Sequence, residues 1–304
     1  MLDLSVVILT KNEEIHLRRC LDNVAEIAKE VFIIDSFSTD NTLQIASEYP
    51  RVKVLQHKWE NNHAKQFNWG LANAPIRGNW ILRLDADEYL TPELIEELKI
   101  KLPEVSDNVN GIILKRRHIF MDKWMKHGIY PVKLLRIFRR GKGMCEQRLM
   151  DEHIQIEDGD IIEMDNDFCD HNLNNISWFC HKHVDYAVRE AADLLDIELG
   201  LTGAAQLDSQ RAISPQAVAK RAKKHKYAKK PLFWRSTAYF FYRYFLKGGW
   251  KEGREGFIFS FIQGWWYRTL VDAKVYEIKK MCGTNPAKIK SYLSATYNIS
   301  FDFE

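Results

Sequence analysis

Short apolar runs separated by polar clusters dominate the first hundred residues. Val6-Val7-Ile8-Leu9, Val31-Phe32-Ile33-Ile34, Val52-Lys53-Val54-Leu55 and Trp80-Ile81-Leu82 with Leu84 each have the length of a strand. Between them Leu17, Leu21, Val24, Ala25 and Ala28 recur at helical spacing, Leu43, Ile45 and Ala46 mark a short helix, and His63 to Ala74 reads as a third. Asn12 is placed to cap the first of these helices. Strands alternating with helices predict βαβ units, right-handed crossovers and a mainly parallel sheet flanked by helices. Further on, Gly111–Leu114 and Val132–Phe138 read as strands, the second closed by a turn at Arg139–Gly143, and helical periodicity runs from Ile176 through Val184 and Val188.

Polar residues collect after the strands, where an open α/β sheet binds its ligands. The fourth apolar run ends in Asp85-Ala86-Asp87-Glu88, two carboxylates one residue apart. Hard oxygen ligands at that spacing suit Mg2+ or Mn2+ carrying a substrate's phosphates, because those ions keep waters and need only one or two protein carboxylates. Taken alone, the same four residues read more simply as a turn capping the helix that opens at Thr91-Pro92-Glu93.

Four segments in order change that balance. T-K-N-E-E after the first strand, I-D-S-F-S-T-D-N-T after the second, A-K-Q-F-N-W-G-L on the third helix and L-D-A-D-E after the fourth strand resemble the family-two glycosyltransferases. The resemblance implies inverting enzymes of GT-A fold, a Rossmann-like nucleotide-sugar-binding architecture, and is nearest to transferases of bacterial lipopolysaccharide core and surface glycans. It further implies a divalent metal, Mn2+ or Mg2+, held by Asp87, with Asp85 on the ribose or a metal-bound water. Asp35 would read the nucleoside, bordered by Thr10 and Glu13, and Lys65 would offset phosphate charge or simply occupy a solvated helix face. A general base is implied in Glu146-Gln147-Arg148-Leu149-Met150-Asp151-Glu152-His153, with Glu152 aligning best and Asp151 one residue away as its competitor. His171 would be a further metal ligand or a structural histidine. No G-x-G-x-x-G follows the first strand, against a dinucleotide enzyme, and the Q-x-x-R-W motif of processive synthases is missing, which implies addition of one sugar. The donor implied is a nucleotide diphosphate sugar, with UDP the expected nucleotide, and the acceptor a glycan or a lipid-linked glycan.

Composition refines the picture modestly. The 304 residues are 46% hydrophobic and 28% charged with a formal charge of +3, which supports a folded protein and no nucleic-acid partner. Five cysteines without C-x-x-C spacing point to reduced thiols in the cytoplasm, and the amino terminus runs straight into a strand without a signal peptide. Cys169, His171, Cys180 and His183 offer zinc-ligand chemistry at poor spacing. Residues 1–215 are expected to form the catalytic domain, with a nucleotide-sugar half to about 100 and an acceptor half beyond, and 216–304 a helical carboxy-terminal appendage. That appendage opens with seven Lys and Arg between Lys220 and Lys230 and continues into aromatic segments too interrupted or too short to span a bilayer. Arg235, Tyr239, Arg243 and Lys247 form a polar stripe, and Phe240, Phe241, Tyr244 and Phe245 cover the other side. Such helices suit the headgroup interface, peripheral on the inner face of the cytoplasmic membrane, or else packing on the core or in a homo-oligomer. Two rival functions remain: a sugar nucleotidyltransferase, disfavoured by the lack of a Gly-rich phosphate loop near the amino terminus, and a non-catalytic glycan-binding or membrane-adaptor protein, disfavoured by retention of the acids.

Overall fold

The computed structural model describes residues 1–202, 214–299 and 301. Its amino-terminal half follows the predicted alternation: β1 (Leu4–Thr10), α1 (Glu14–Ala25), β2 (Glu30–Asp35), α2 (Thr42–Ser47), β3 (Val52–Gln56), α3 (His63–Asn73) and β4 (Trp80–Asp85). β1 pairs in parallel with β2 and β4, and β2 with β3. Both faces of β1, β2 and β4 are covered, whereas β3 is a half-exposed edge, so the side chains of the inner strands divide by the period of two. Leu4, Val6, Ile8 and Ile33 join one apolar cluster with α1, and Val7, Phe32 and Ile34 join another with Phe67 of α3.

Beyond β4 come β5 (Glu88–Leu90), α4 (Pro92–Lys101), β6 (Val109–Phe120), β7 (Lys123–Trp124), β8 (Val132–Arg139), β9 (Gly143–Cys145), β10 (Ile154–Ile156) and β11 (Asp160–His171). The large sheet is mixed, with order β3-β2-β1-β4-β8-β6-β11-β5 and β7 on β6, while β9 and β10 form a separate antiparallel pair. β4 and β5 are consecutive in the chain but have three other strands, β8, β6 and β11, between them in the sheet. Only Ala86 and Asp87 link them. So short a link forces the sheet to curl until its far edge returns beside β4, and the Asp85–Asp87 corner closes that curl. The four residues therefore do not cap the next helix. Thr91 does, accepting from the Leu94 amide, with Pro92 at the first helical position. Asn12 likewise fails as the cap expected of it. It adopts φ 56°, and its Oδ1 accepts from the Thr39 amide, tying the loop after β1 to the loop after β2.

The rest is helical: α5 (Ile176–Leu199), α6 (Pro215–Ala228), α7 (Trp234–Phe241), α8 (Gly253–Phe259), α9 (Tyr267–Cys282) and α10 (Pro286–Tyr297). α7 runs into a π-helical turn at Tyr242–Leu246, and a second π-helical stretch at Ser260–Trp266 joins α8 to α9. Ala187, Ala191 and Leu195 of α5 pack with Val271, Val275 and Ile278 of α9 and with Ile289 and Leu293 of α10. The expected polar stripe is present but most of it points inward. Arg235 and Arg243 are only 4% and 3% exposed, whereas Phe241 and Phe245 are each more than half exposed. Asp272 of α9 explains the inversion for Arg235, meeting its Nη2 at 2.6 Å. Among the described residues no helix is long and apolar enough to cross a membrane.

Candidate active site

The ends of β1 and β2 lie side by side, with Thr10 paired in register with Asp35. Thr10 Oγ1 donates to Asp35 Oδ1 at 2.9 Å, the Ser38 amide donates to Oδ2 at 2.9 Å, and Gln56 Nε2 reaches Oδ2 at 3.2 Å. Asp35 is thereby held rigid while wholly buried. Glu13 starts the loop into α1, and its carboxylate meets His16 Nδ1 at 2.6 Å.

Curling of the sheet gathers four carboxylates. β5 pairs with β11 so that Asp170 lies opposite Glu88, which brings the end of β11 against the Asp85–Asp87 corner. Arg19 of α1 clamps that junction: its Nη2 donates to the carbonyls of His171 (2.5 Å) and Asp87 (3.1 Å). Asp87 Oδ2 accepts from Asn172 Nδ2 at 2.8 Å. Burial, then the nearby Asp170, pushes the Asp87 carboxyl above its usual range. Asp170 goes the other way: against its burial, His118 and Arg116 hold it low, the latter at 3.2 Å. Burial raises Glu88 to about 8 even though Arg136 Nη2 sits 2.6 Å from its Oε1. Asp85 lies part-exposed at the cleft. Against the desolvation there, Arg136, then Arg83 and His63, keep it ionised below the usual carboxylate range.

The loop between β9 and β10 carries both candidate bases, and their environments differ. Asp151 sits in left-handed backbone at φ 60°, a conformation Asp tolerates better than most residues. Its oxygens meet Lys220 Nζ at 2.5 Å and Lys224 Nζ at 3.3 Å, and these cations of α6 hold its pKa far below normal in spite of burial. Glu152 has no such partner among the described residues. Burial raises its pKa, with Arg83 and Arg189 near enough to moderate the rise. Desolvation keeps His153 neutral, its pKa lowered to about 3.

Several of these groups were not singled out from the sequence. Asp170 stood beside His171 in a segment noted for zinc, and Arg83 lay inside the apolar run that ends in Asp85. On α5, Lys182, Tyr186 and Arg189 follow helical spacing along one side of the cleft. Lys182 is electrostatically coupled to Asp87 and Glu13, and its ammonium is kept charged despite burial chiefly by Tyr186 and these carboxylates. His171 presents Nε2 to Asp122 at 3.0 Å and Nδ1 to Arg19 at 3.1 Å. Lys65 lines a cavity with Arg148 and Arg189, to which none of Asp85, Asp87 and Asp170 contributes. Among the described residues no three His, Cys, Asp or Glu side chains form a ready-made metal cage.

Residues 5–160 match the family profile described as glycosyl transferase family 2. The chain is 26% identical to a lipopolysaccharide core biosynthesis glycosyltransferase, LpsC, of Rhizobium meliloti, over 91% of this chain and 93% of that one. It is 38% identical over 96 residues to an uncharacterized glycosyltransferase of Rickettsia bellii, a match covering 32% of this chain and 31% of its relative. The chain thus spans about a third of the length of the Rickettsia relatives it matches. Among solved structures, Staphylococcus aureus TarS residues 1–349 align with 93% of this chain and 92% of that one at 16% identity and a TM-score of 0.41.

Proposed function

We propose that this chain, which belongs to glycosyl transferase family 2, is a glycosyltransferase that moves a single sugar, with inversion, from a UDP-linked donor to a glycan or lipid-linked acceptor in bacterial lipopolysaccharide or surface polysaccharide synthesis. The observation that carries the chemistry is the contrast between two adjacent carboxylates, Asp151 neutralised by Lys220 and Lys224 and Glu152 without an ion-pair partner among the described residues and with a raised pKa. A raised carboxyl is the better proton acceptor, so Glu152 is the base and Asp151 positions the loop. Glu152 takes the proton of the acceptor hydroxyl as that oxygen bonds to the anomeric carbon. The bond from that carbon to the diphosphate breaks with its electron pair leaving on the phosphate oxygen. Thr10, Glu13, Asp35 and Asp85 hold the nucleoside end of the donor, where strands β1, β2 and β4 terminate side by side.

The acidic corner fits a divalent cation. Burial and the neighbouring Asp170 make the Asp87 anion costly on its own, and a cation that also carries substrate phosphates needs few protein ligands. Asp87 is its ligand in this reading, and His171 a second one once its contact with Asp122 is exchanged. Mn2+ or Mg2+ held there supplies Lewis-acid stabilisation of the leaving diphosphate. Calorimetric titration with UDP, GDP, CDP and dTDP, with and without Mn2+, tests this donor site. UDP is expected to bind in a Mn2+-dependent manner and Asp87→Ala to weaken it at least about tenfold, ~1.4 kcal/mol. A folded protein that binds none of the four overturns it.

A lipid-linked acceptor places the enzyme at the inner face of the cytoplasmic membrane, with residues 216–304 as the contacting region. Aromatic rings of α7 and its π turn continue into α8 through Tyr244–Phe257 and into the second π-helical stretch through Phe240–Trp265. Trp234 and Leu246, 77% and 79% exposed, flank this surface. Lys247, Lys251 and Arg254 are exposed beside it, while Glu252 and Glu255 are turned to His127 and Lys123. An apolar face rimmed by unopposed cations suits anionic headgroups. The protein is expected to sediment with phosphatidylglycerol vesicles and not with phosphatidylcholine ones. Leu246→Glu with Phe245→Glu abolishes that association if this surface is the contact; unaltered sedimentation of the double variant overturns it.

A further inference from the structure

We infer that the cavity beside the proposed base binds an anionic oxyacid group, a phosphate or a carboxylate, carried by the acceptor. This rests on the assignment of Glu152 above. The cavity measures about 300 Å3, at the small end of ligand clefts and near the size for a single sugar with its substituent. Three cations from separate elements line it: Lys65 of α3, Arg148 of the loop that leads to Glu152, and Arg189 of α5. All three are half-buried, while the lining carboxylates Glu60 and Asp185 are exposed at the rim. The interior is therefore left positive.

Positive charge in a recess is costly unless something balances it. Arg148 is already partnered, Asp193 Oδ1 lying 3.8 Å from its Nη2, so the charge left to balance is that of the other two cations. Lys65 and Arg189 have no ion pair among the described residues. An oxyacid group meets such a set well, since guanidinium groups bind phosphate and carboxylate oxygens through paired, charge-assisted hydrogen bonds.

Position selects the acceptor as the source of the anion. None of Thr10, Glu13, Asp35, Asp85 or Asp87 lines the cavity, whereas Arg148 shares its loop with Glu152 and Arg189 is coupled electrostatically to Glu152. Glu152 does not itself line the cavity, so an acid group anchored here is linked to the base through Arg148 and Arg189, and a hydroxyl elsewhere on the same acceptor is thereby oriented toward Glu152. The rival source of the same chemistry is the donor's own diphosphate.

Binding of inorganic phosphate to the full chain, followed by calorimetry with and without saturating UDP and Mn2+, separates the two. UDP titrated alone reports on the donor site independently, so failure of the donor reading shows there and failure of this one does not. The expected result is phosphate binding that persists at saturating UDP and weakens at least about tenfold in Arg189→Gln and further in Lys65→Gln with Arg189→Gln, with UDP affinity unchanged in both. Displacement of phosphate by UDP assigns the cations to the donor and overturns the inference. So does a UDP-binding wild type that takes up no phosphate, or a double variant that binds phosphate as the wild type does.

Discussion

Glu152→Gln is expected to lower kcat by about 10^2- to 10^4-fold, the usual contribution of a positioned general base, while UDP affinity in the presence of Mn2+ stays at the wild-type value. Gln keeps the size and hydrogen-bonding reach of Glu and removes only its ability to accept a proton. The informative control is Asp151→Asn. Asn tolerates the left-handed backbone at this position (φ 60°) as well as Asp does, so the variant removes the charge without forcing the loop to move. Lys224 keeps Glu190 and Asp193, both at 2.7 Å, when Asp151 is neutralised. Asp151→Asn is therefore expected to retain kcat within about tenfold. The wild-type pH profile supplies a second readout. Because burial raises the Glu152 pKa above the ordinary 4.5, activity is expected to fall as pH drops through that raised value, on an acid limb displaced to higher pH than a solvent-exposed carboxylate would give. The limb disappears in Glu152→Gln and persists in Asp151→Asn. Near-normal turnover in Glu152→Gln, with Asp151→Asn inactive, would move the base by one residue.

Asp272→Ala should destabilise the protein by about 3–5 kcal/mol, the range found when one partner of a buried ion pair is removed. Arg235 and Asp272 are both excluded from solvent. Asp272 Oδ1 accepts from Arg235 Nε at 2.7 Å, and Oδ2 accepts from the Phe233 amide at 2.7 Å. Truncation leaves a guanidinium in the interior with no anion, together with an unsatisfied backbone donor. The damage extends toward the site. Arg235 Nη1 also donates to the carbonyls of Tyr227 and Ala228 at the end of α6, the helix whose Lys220 and Lys224 hold Asp151. Urea unfolding followed by tryptophan fluorescence measures the loss. Asp272→Asn, which keeps an acceptor for Phe233 but no charge, is expected to fall between wild type and Ala. Equal midpoints for all three proteins would show that the pair is not a keystone of this region.

The strands of the amino-terminal region were legible locally. Apolar runs located β1, β2 and β4 because a strand buried on both faces needs nothing but apolar side chains in succession, while β3, a half-exposed edge strand, showed only an interrupted run. The acids at the strand ends, and the four ordered segments that resemble family-two glycosyltransferases, needed no contact beyond their own neighbourhood. Thr91-Pro92 announced α4 for the same reason. Asn12 did not serve as a cap, because a partner from the loop after β2 took its carboxamide.

The remainder depends on pairings between distant residues. Asp170 meets the acidic corner only because β5 crosses back to pair with β11, some eighty residues away in the chain. The unequal environments of Asp151 and Glu152 come from lysines about seventy residues further along. Helical periodicity divided α7 into a polar and an aromatic side but carried no information about which side faces in. Asp272 on α9 settled that for Arg235, because a buried guanidinium is tolerated only where an anion meets it. Short-range pattern thus located β1 to β4, parts of β6 and β8, and the family. Which carboxylates share a cleft, which is neutralised and which face of a helix meets water were decided by the tertiary structure, because charge and burial depend on neighbours in space that spacing along the chain does not encode.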